Sequence, residues 1–167
     1  MIKNVNFLFV TFFGIGTIRY APGTITSLIT TMLLFSSFHI LSLSKTVILI
    51  ILITIFLYSF LAVASYIKED TNKDPKEVVI DEVIGQSIPI YLYEIAHGTN
   101  KDSKEAILFY IYIFILFRFF DIKKPFPVNF FDKKFKNSFG VIMDDVIAGF
   151  YVVLTLIIFM VVKSKLF

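Results

Sequence analysis

Long uncharged runs separated by short polar stretches set the pattern of the chain. A membrane-crossing helix needs roughly 20 mostly apolar residues. Thr26 to Leu43 and Thr46 to Ile67 meet that length without a formal charge, and Ser44-Lys45 between them predicts a tight turn. Val146 to Val162 is a third such run, extended upstream by Phe139 to Met143 past Asp144-Asp145. Ala106 to Phe117 is shorter, about 18 Å of helix rise. It spans only if it starts near Ser103 and lets Arg118 snorkel. Val78 to Ala96 is ambiguous, because it carries Asp81, Glu82, Gln86, Pro89 and Glu94.

The basic residues decide how to treat that segment. If it stays out of the membrane, four spans leave nine Lys/Arg on one side and seven on the other. If it crosses, eleven fall on one side: Lys3, Arg19, Lys68, Lys73, Lys76, Arg118, Lys123, Lys124, Lys133, Lys134 and Lys136. Five fall on the other: Lys45, Lys101, Lys104, Lys163 and Lys165. The positive-inside rule favours the second arrangement. The reading is an all-α integral membrane protein with about five transmembrane helices, its N-terminus in the cytoplasm and its C-terminus outside. Residues 1–167 form one membrane-embedded domain. Lys3 followed by Val5 to Phe13 resembles a signal sequence but lacks a small-residue cleavage site. That stretch is expected to be retained as an interfacial or re-entrant segment.

Composition agrees. The 167 residues are 57% hydrophobic and only 17% charged, with a mean hydropathy of +0.81. A domain of this size cannot bury so much apolar surface within itself, so a soluble enzyme is not expected. There is no cysteine, which excludes disulfides, thiol nucleophiles and thiolate metal sites. A net charge of +3 is too small for a nucleic-acid binder. His39 lies in an uncharged span and His97 on the predicted outer side; both read as packed or interfacial histidines.

The five-span arrangement places the unusual polar stretches on one face. Acids inside a membrane segment are costly and mark function by default. Asp81-Glu82 and Asp144-Asp145 are two such pairs, each followed about one turn later by a glycine, Gly85 and Gly149. They read as two half-sites whose carboxylates suit a hard ion such as Mg²⁺. The alternative is that the acids merely favour helix N-termini. Arg118, Lys123 and Lys124, before Pro125-Phe126-Pro127, could hold a phosphate or attract anionic headgroups. Ala21-Pro22-Gly23-Thr24 reads as a helix-start turn whose N–H groups could face an anion. Lys73-Asp74-Pro75-Lys76 reads as a connector, with Pro75 starting the next helix.

Taken together, Gly14-Ile15-Gly16, Ala21-Pro22-Gly23-Thr24, the block from Lys73 to Gln86, the block from Phe117 to Pro127 and Gly140 to Gly149 resemble the phosphatidylglycerophosphatase A family. Before the second acid pair, Asn137-Ser138-Phe139-Gly140 keeps only the last glycine of the family's usual Gly-Gly-x-Gly. The resemblance implies a Mg²⁺-dependent lipid phosphatase of the bacterial cytoplasmic membrane, acting at its cytoplasmic face. It would convert phosphatidylglycerophosphate to phosphatidylglycerol and phosphate. Asp81, Glu82, Asp144 and Asp145 would hold metal and catalyse. Arg118, Asp121, Lys123, Lys124, Thr24 and Lys76 would bind substrate, with Lys123 on the phosphate. The rival reading is a small transport or channel subunit that binds a cation on its intramembrane acids. The basic cluster on the same face argues against it.

Overall fold

The computed structural model describes residues 2–69, 76–97, 103–135 and 137–166, with the side chains of 2–3, 68–69, 103, 132–133 and 166 excepted. The secondary structure of these residues is helical throughout. The α-helices are α1 (Ile2–Val10), α2 (Pro22–Phe35), α3 (Lys45–Glu69), α4 (Ile80–His97), α5 (Ser103–Lys123), α6 (Val128–Lys134) and α7 (Ser138–Leu166). A single 3₁₀ turn covers Ile15–Thr17, and α2 runs on through a π-helical turn to Ile40. Pro22 opens α2, where a missing N–H costs nothing. Pro125 follows the end of α5, which a proline cannot continue.

Among the described residues, three helical stretches are long and apolar enough to cross a membrane: Pro22–Ile40, Lys45–Ile67 and Ser138–Lys165. The two further spans expected from the sequence fall short by composition. α4 carries Asp81, Glu82 and Glu94. α5 has charged residues in both its first and last turns. α1, with nine residues, rises only about 13 Å. It lies against α3, where the Tyr58 hydroxyl donates to Asn6 Oδ1 at 2.6 Å. Outward side chains such as Leu57, Leu61, Leu108, Ile115 and Ile158 are largely exposed, as a lipid-facing surface requires.

The five long helices alternate in direction. Gly23 of α2 touches Glu82 of α4 at one end, and the Tyr66 hydroxyl near the end of α3 donates to Glu77 Oε2 there. At the other end Glu94, 1% exposed, gathers the opposite termini. Its Oε1 lies 3.1 Å from His39 Nε2 and accepts from the Tyr110 hydroxyl at 3.1 Å. The Lys45 ammonium donates to its backbone carbonyl at 2.7 Å. His39 also stacks on Phe35. It is therefore a packed histidine, at the opposite end from the acid pairs.

α4 and α7 form the most extensive helix pair, and glycines make it possible. A Cβ on Gly85 would meet the Asp145 carbonyl and the Phe117 ring, and one on Gly149 would meet the Gly85 carbonyl. Association in lipid rests on such close packing, because burying apolar surface drives nothing there. Pro89 lacks the N–H that would bond the Gly85 carbonyl within α4. That carbonyl instead faces a Cα hydrogen of Gly149, a weak but recurrent helix–helix contact.

Two sequence expectations are corrected. Asp144 and Asp145 do not open a helix: α7 begins at Ser138, which places them in its second turn. Favourable charge at a helix start therefore does not explain them. Pro75 lies outside the described residues, as do Lys73 and Asp74. Lys76 and Glu77 form a turn and α4 starts only at Ile80, so Pro75 is not its first residue.

Candidate active site

The acid end of the bundle is built from the first turns of α2 and α4, the last turn of α5 and the second turn of α7. The two acid pairs repeat one local device. Asp81 Oδ1 accepts the N–H of Glu82 at 3.1 Å, and Asp144 Oδ1 accepts the N–H of Asp145 at 3.0 Å. The outcome differs between the pairs. Asp81, Glu82 and Asp145 each offer a carboxylate oxygen, all within 4.8 Å of one another. Asp144 turns aside, and its Oδ2 lies 2.8 Å from Lys124 Nζ. Three of the four acids expected to hold metal thus converge, while the fourth is engaged by a lysine.

The converging acids keep open valences. Glu82 Oε2 and Asp145 Oδ2 are buried and have no hydrogen-bond partner among the described residues. Glu82 Oε1 packs against Gly23 where any side chain would collide with it. Glu82 of α4 is thereby set directly beside the first turn of α2. Thr24 sits half-buried in that first turn.

Arg118 reaches in from α5. Its Nη1 lies 2.8 Å from Asp121 Oδ2 and donates to Ser27 Oγ at 3.3 Å. Its Nε is buried without a partner among the described residues. Asp121 is close enough to interact electrostatically with Asp81, Glu82 and Asp145. Five carboxylates, those of Asp81, Glu82, Asp121, Asp144 and Asp145, thus lie at this end together with Arg118 and Lys124. Lys123, on which the sequence reading placed the phosphate, is exposed at the end of α5, and Lys76 is exposed before α4. The left-handed backbone at Lys124, φ 43°, turns the chain at the point where its ammonium meets Asp144.

Sequence reasoning missed Ser27 and the buried polar stripe it belongs to. Gly23, Thr26, Ser27, Thr30 and Thr31 are all buried on α2, and Gln86 and Ser87 are buried on α4. The signal was in the letters: hydroxyl residues at 3–4-residue spacing within an otherwise apolar span.

Carboxylates, an arginine and a lysine thus lie together at one end of a bundle of apolar helices. Residues 8–160 match the family model for phosphatidylglycerophosphatase A. A Haemophilus influenzae phosphatidylglycerophosphatase A is 36% identical over 147 residues, covering 85% of this chain and 80% of that protein. A Bacteroides thetaiotaomicron protein, provisionally named a phosphatidylinositol-3-phosphatase, is 31% identical over 140 residues, 83% of each chain. An Escherichia coli phosphatidylglycerophosphatase A is 33% identical over 76 residues, 46% of this chain and 39% of that one. No solved structure matches the chain significantly. The chain belongs to the phosphatidylglycerophosphatase A family. It is a phosphatase, and the rival reading as a transport or channel subunit is set aside.

Proposed function

We propose that this protein removes the terminal phosphate of phosphatidylglycerophosphate, giving phosphatidylglycerol and phosphate, at the cytoplasmic face of a bacterial inner membrane. One observation carries the chemistry: Asp81, Glu82 and Asp145 converge within 4.8 Å, with buried oxygens lacking partners, beside Arg118. An all-oxygen donor set suits Mg²⁺ rather than zinc, and Asp81, Glu82 and Asp145 would hold it. Bound there, Mg²⁺ would supply positive charge to the phosphoryl oxygens.

The remaining work falls to the chain. A phosphate monoester carries close to two negative charges near neutral pH, and its transfer is mostly a matter of positioning and charge stabilisation. Asp121 and Ser27 hold the Arg118 guanidinium in place by one nitrogen. The unpartnered Nε is left to donate to a phosphoryl oxygen. Lys124, held by Asp144, adds positive charge at the mouth. Water is consumed: its oxygen ends bonded to phosphorus as the phosphorus–oxygen bond to the headgroup breaks, one proton goes to the released alcohol and the other stays with the phosphate. Access is lateral, since a lipid substrate already lies in the plane that α2, α4, α5 and α7 occupy.

The alternating directions of the helices favour crossings by α4 and α5 as well, giving five. Arg19, Lys76, Arg118, Lys123, Lys124 and Lys134 then lie on the acid side. Phosphate release by detergent-purified protein tests the reading, with phosphatidylglycerophosphate, phosphatidylinositol 3-phosphate and phosphatidic acid as substrates. Strongest turnover of phosphatidylglycerophosphate is expected; no release from it removes the proposal.

A further inference from the structure

We propose that Thr26, Thr30 and Gln86 form a hydroxyl-recognising subsite one to two turns beneath the acids. Its ligand is the alcohol adjacent to the phosphate ester in a polyol headgroup. The proposal rests on the lipid phosphatase reading above.

The buried hydroxyls of the bundle fall into two groups. Ser27 Oγ donates to the Gly23 carbonyl at 2.9 Å, Thr31 Oγ1 to the Ser27 carbonyl at 2.8 Å and Ser87 Oγ to the Val83 carbonyl at 2.6 Å. These are ordinary back-bonds of polar residues in apolar helices. Thr26 Oγ1, Thr30 Oγ1 and both ends of the Gln86 amide have no partner among the described residues. Thr26 and Gln86 are 0% exposed and Thr30 is 3% exposed. A buried polar group left unpaired is costly, and lipid offers no compensating hydrogen bond.

Thr26 and Gln86 lie at a similar depth below the acids. The contact between Gly23 and Glu82 aligns the starts of α2 and α4, which run in the same direction. From it, Thr26 lies three residues down α2, about 4.5 Å, and Gln86 four residues down α4, about 6 Å. Thr30 lies one turn further along the Thr26 stripe. Ser27, beside Thr26, bonds Arg118, so the subsite adjoins the group assigned to the phosphate.

The chemistry selects the ligand. Two hydroxyls and an amide both donate and accept, and none is charged. They match an alcohol; phosphoryl oxygens belong with Arg118. Phosphatidylglycerophosphate bears a hydroxyl on the carbon next to its terminal phosphate ester, and so does phosphatidylinositol 3-phosphate. Phosphatidic acid, acylated at that carbon, has none.

The experiment measures kcat/KM for these three lipids with wild type, Gln86→Leu and the double variant Thr26→Val/Thr30→Val. Wild type is expected to favour both hydroxyl-bearing lipids over phosphatidic acid. Each variant is expected to cut that preference about tenfold per lost hydrogen bond, mainly through KM. Comparison of the two hydroxyl-bearing lipids shows which headgroup the subsite takes. Thr→Val keeps shape and branching, so the double variant carries the test if Gln86→Leu fails to fold. An unchanged preference in the folded variants overturns the subsite, and so does an equal loss on all three lipids, which would mean that the seam holds only water. In both cases the phosphatase reading survives. Hydrolysis of none of the three lipids by wild type overturns both.

Discussion

The carbonyl oxygen of Gly85 faces Gly149 so closely that a Cβ on Gly149 would come within 2.5 Å of it. The reciprocal contact lies one turn from the acids on each helix: a methyl group on Gly85 would stand 2.6 Å from the Asp145 carbonyl oxygen. The carboxylates of Asp81 and Asp145 can converge because nothing but hydrogen separates the two backbones there.

Gly149→Ala and Gly85→Ala should therefore force α4 and α7 apart. Overpacking of this kind costs about 1–3 kcal/mol. Both variants should melt at lower temperature in detergent and lose at least tenfold in turnover. Wild-type turnover in Gly149→Ala would show that the close approach is not needed to assemble the acids.

Asp81→Asn and Asp145→Asn should lower kcat by about 100-fold or more, as expected for loss of a group that holds charge at the reaction centre. Both should still insert and purify, since each removes a buried charge and not a packed apolar side chain. High Mg²⁺ should partly rescue them. It should not rescue Arg118→Ala, whose loss falls on the phosphate. Side-by-side turnover titrations with Mg²⁺ read the difference.

Metal removal gives a broader test. EDTA should abolish phosphate release and added Mg²⁺ should restore it, with zinc a poor substitute at an all-carboxylate site. Full activity in excess chelator would rule out the metal.

The acid pairs, the glycines one turn on and the apolar runs were legible in the sequence because each is a periodic or local signal. The division of labour within the second pair was not. Asp144 is taken out of the carboxylate trio by Lys124, twenty positions away, through a turn that follows α5. Lys123 and Lys124 look equivalent as letters, and only the backbone at that turn decides which one reaches the acids. The partnership of His39 with Glu94 spans 55 positions and leaves no trace in spacing. The stretch of α7 upstream of Asp144 was legible too, since Phe139 to Met143 continues the apolar run past the two acids.

The Lys124–Asp144 pair yields its own prediction. Lys124→Met and Asp144→Asn should each reduce activity, and the double variant should be less impaired than the sum of the two. A double-mutant cycle should give a coupling of about 1 kcal/mol or more. Strict additivity would show that the 2.8 Å contact carries no function.

Topology is open to single introduced cysteines, since the chain has none. Cysteines at Lys76, Lys123 and Asn129 should label from one side of the membrane, and those at Lys104 and Lys165 from the other. Labelling of Lys76 and Asn129 from opposite sides would break the five-crossing arrangement.

The knot around Glu94 has a consequence for the distant acids. α4 packs against α7 through Gly85 near its start, and near its end Glu94 is held by partners on other helices. A slip of α4 by one turn, about 5.4 Å, would carry Glu94 away from His39 and Tyr110 and leave its charge buried in apolar surroundings. Such a stranded charge costs several kcal/mol. The register that sets Asp81 opposite Asp145 is thus held at both ends of the helix, and an error at the far end is penalised before it can misalign the site.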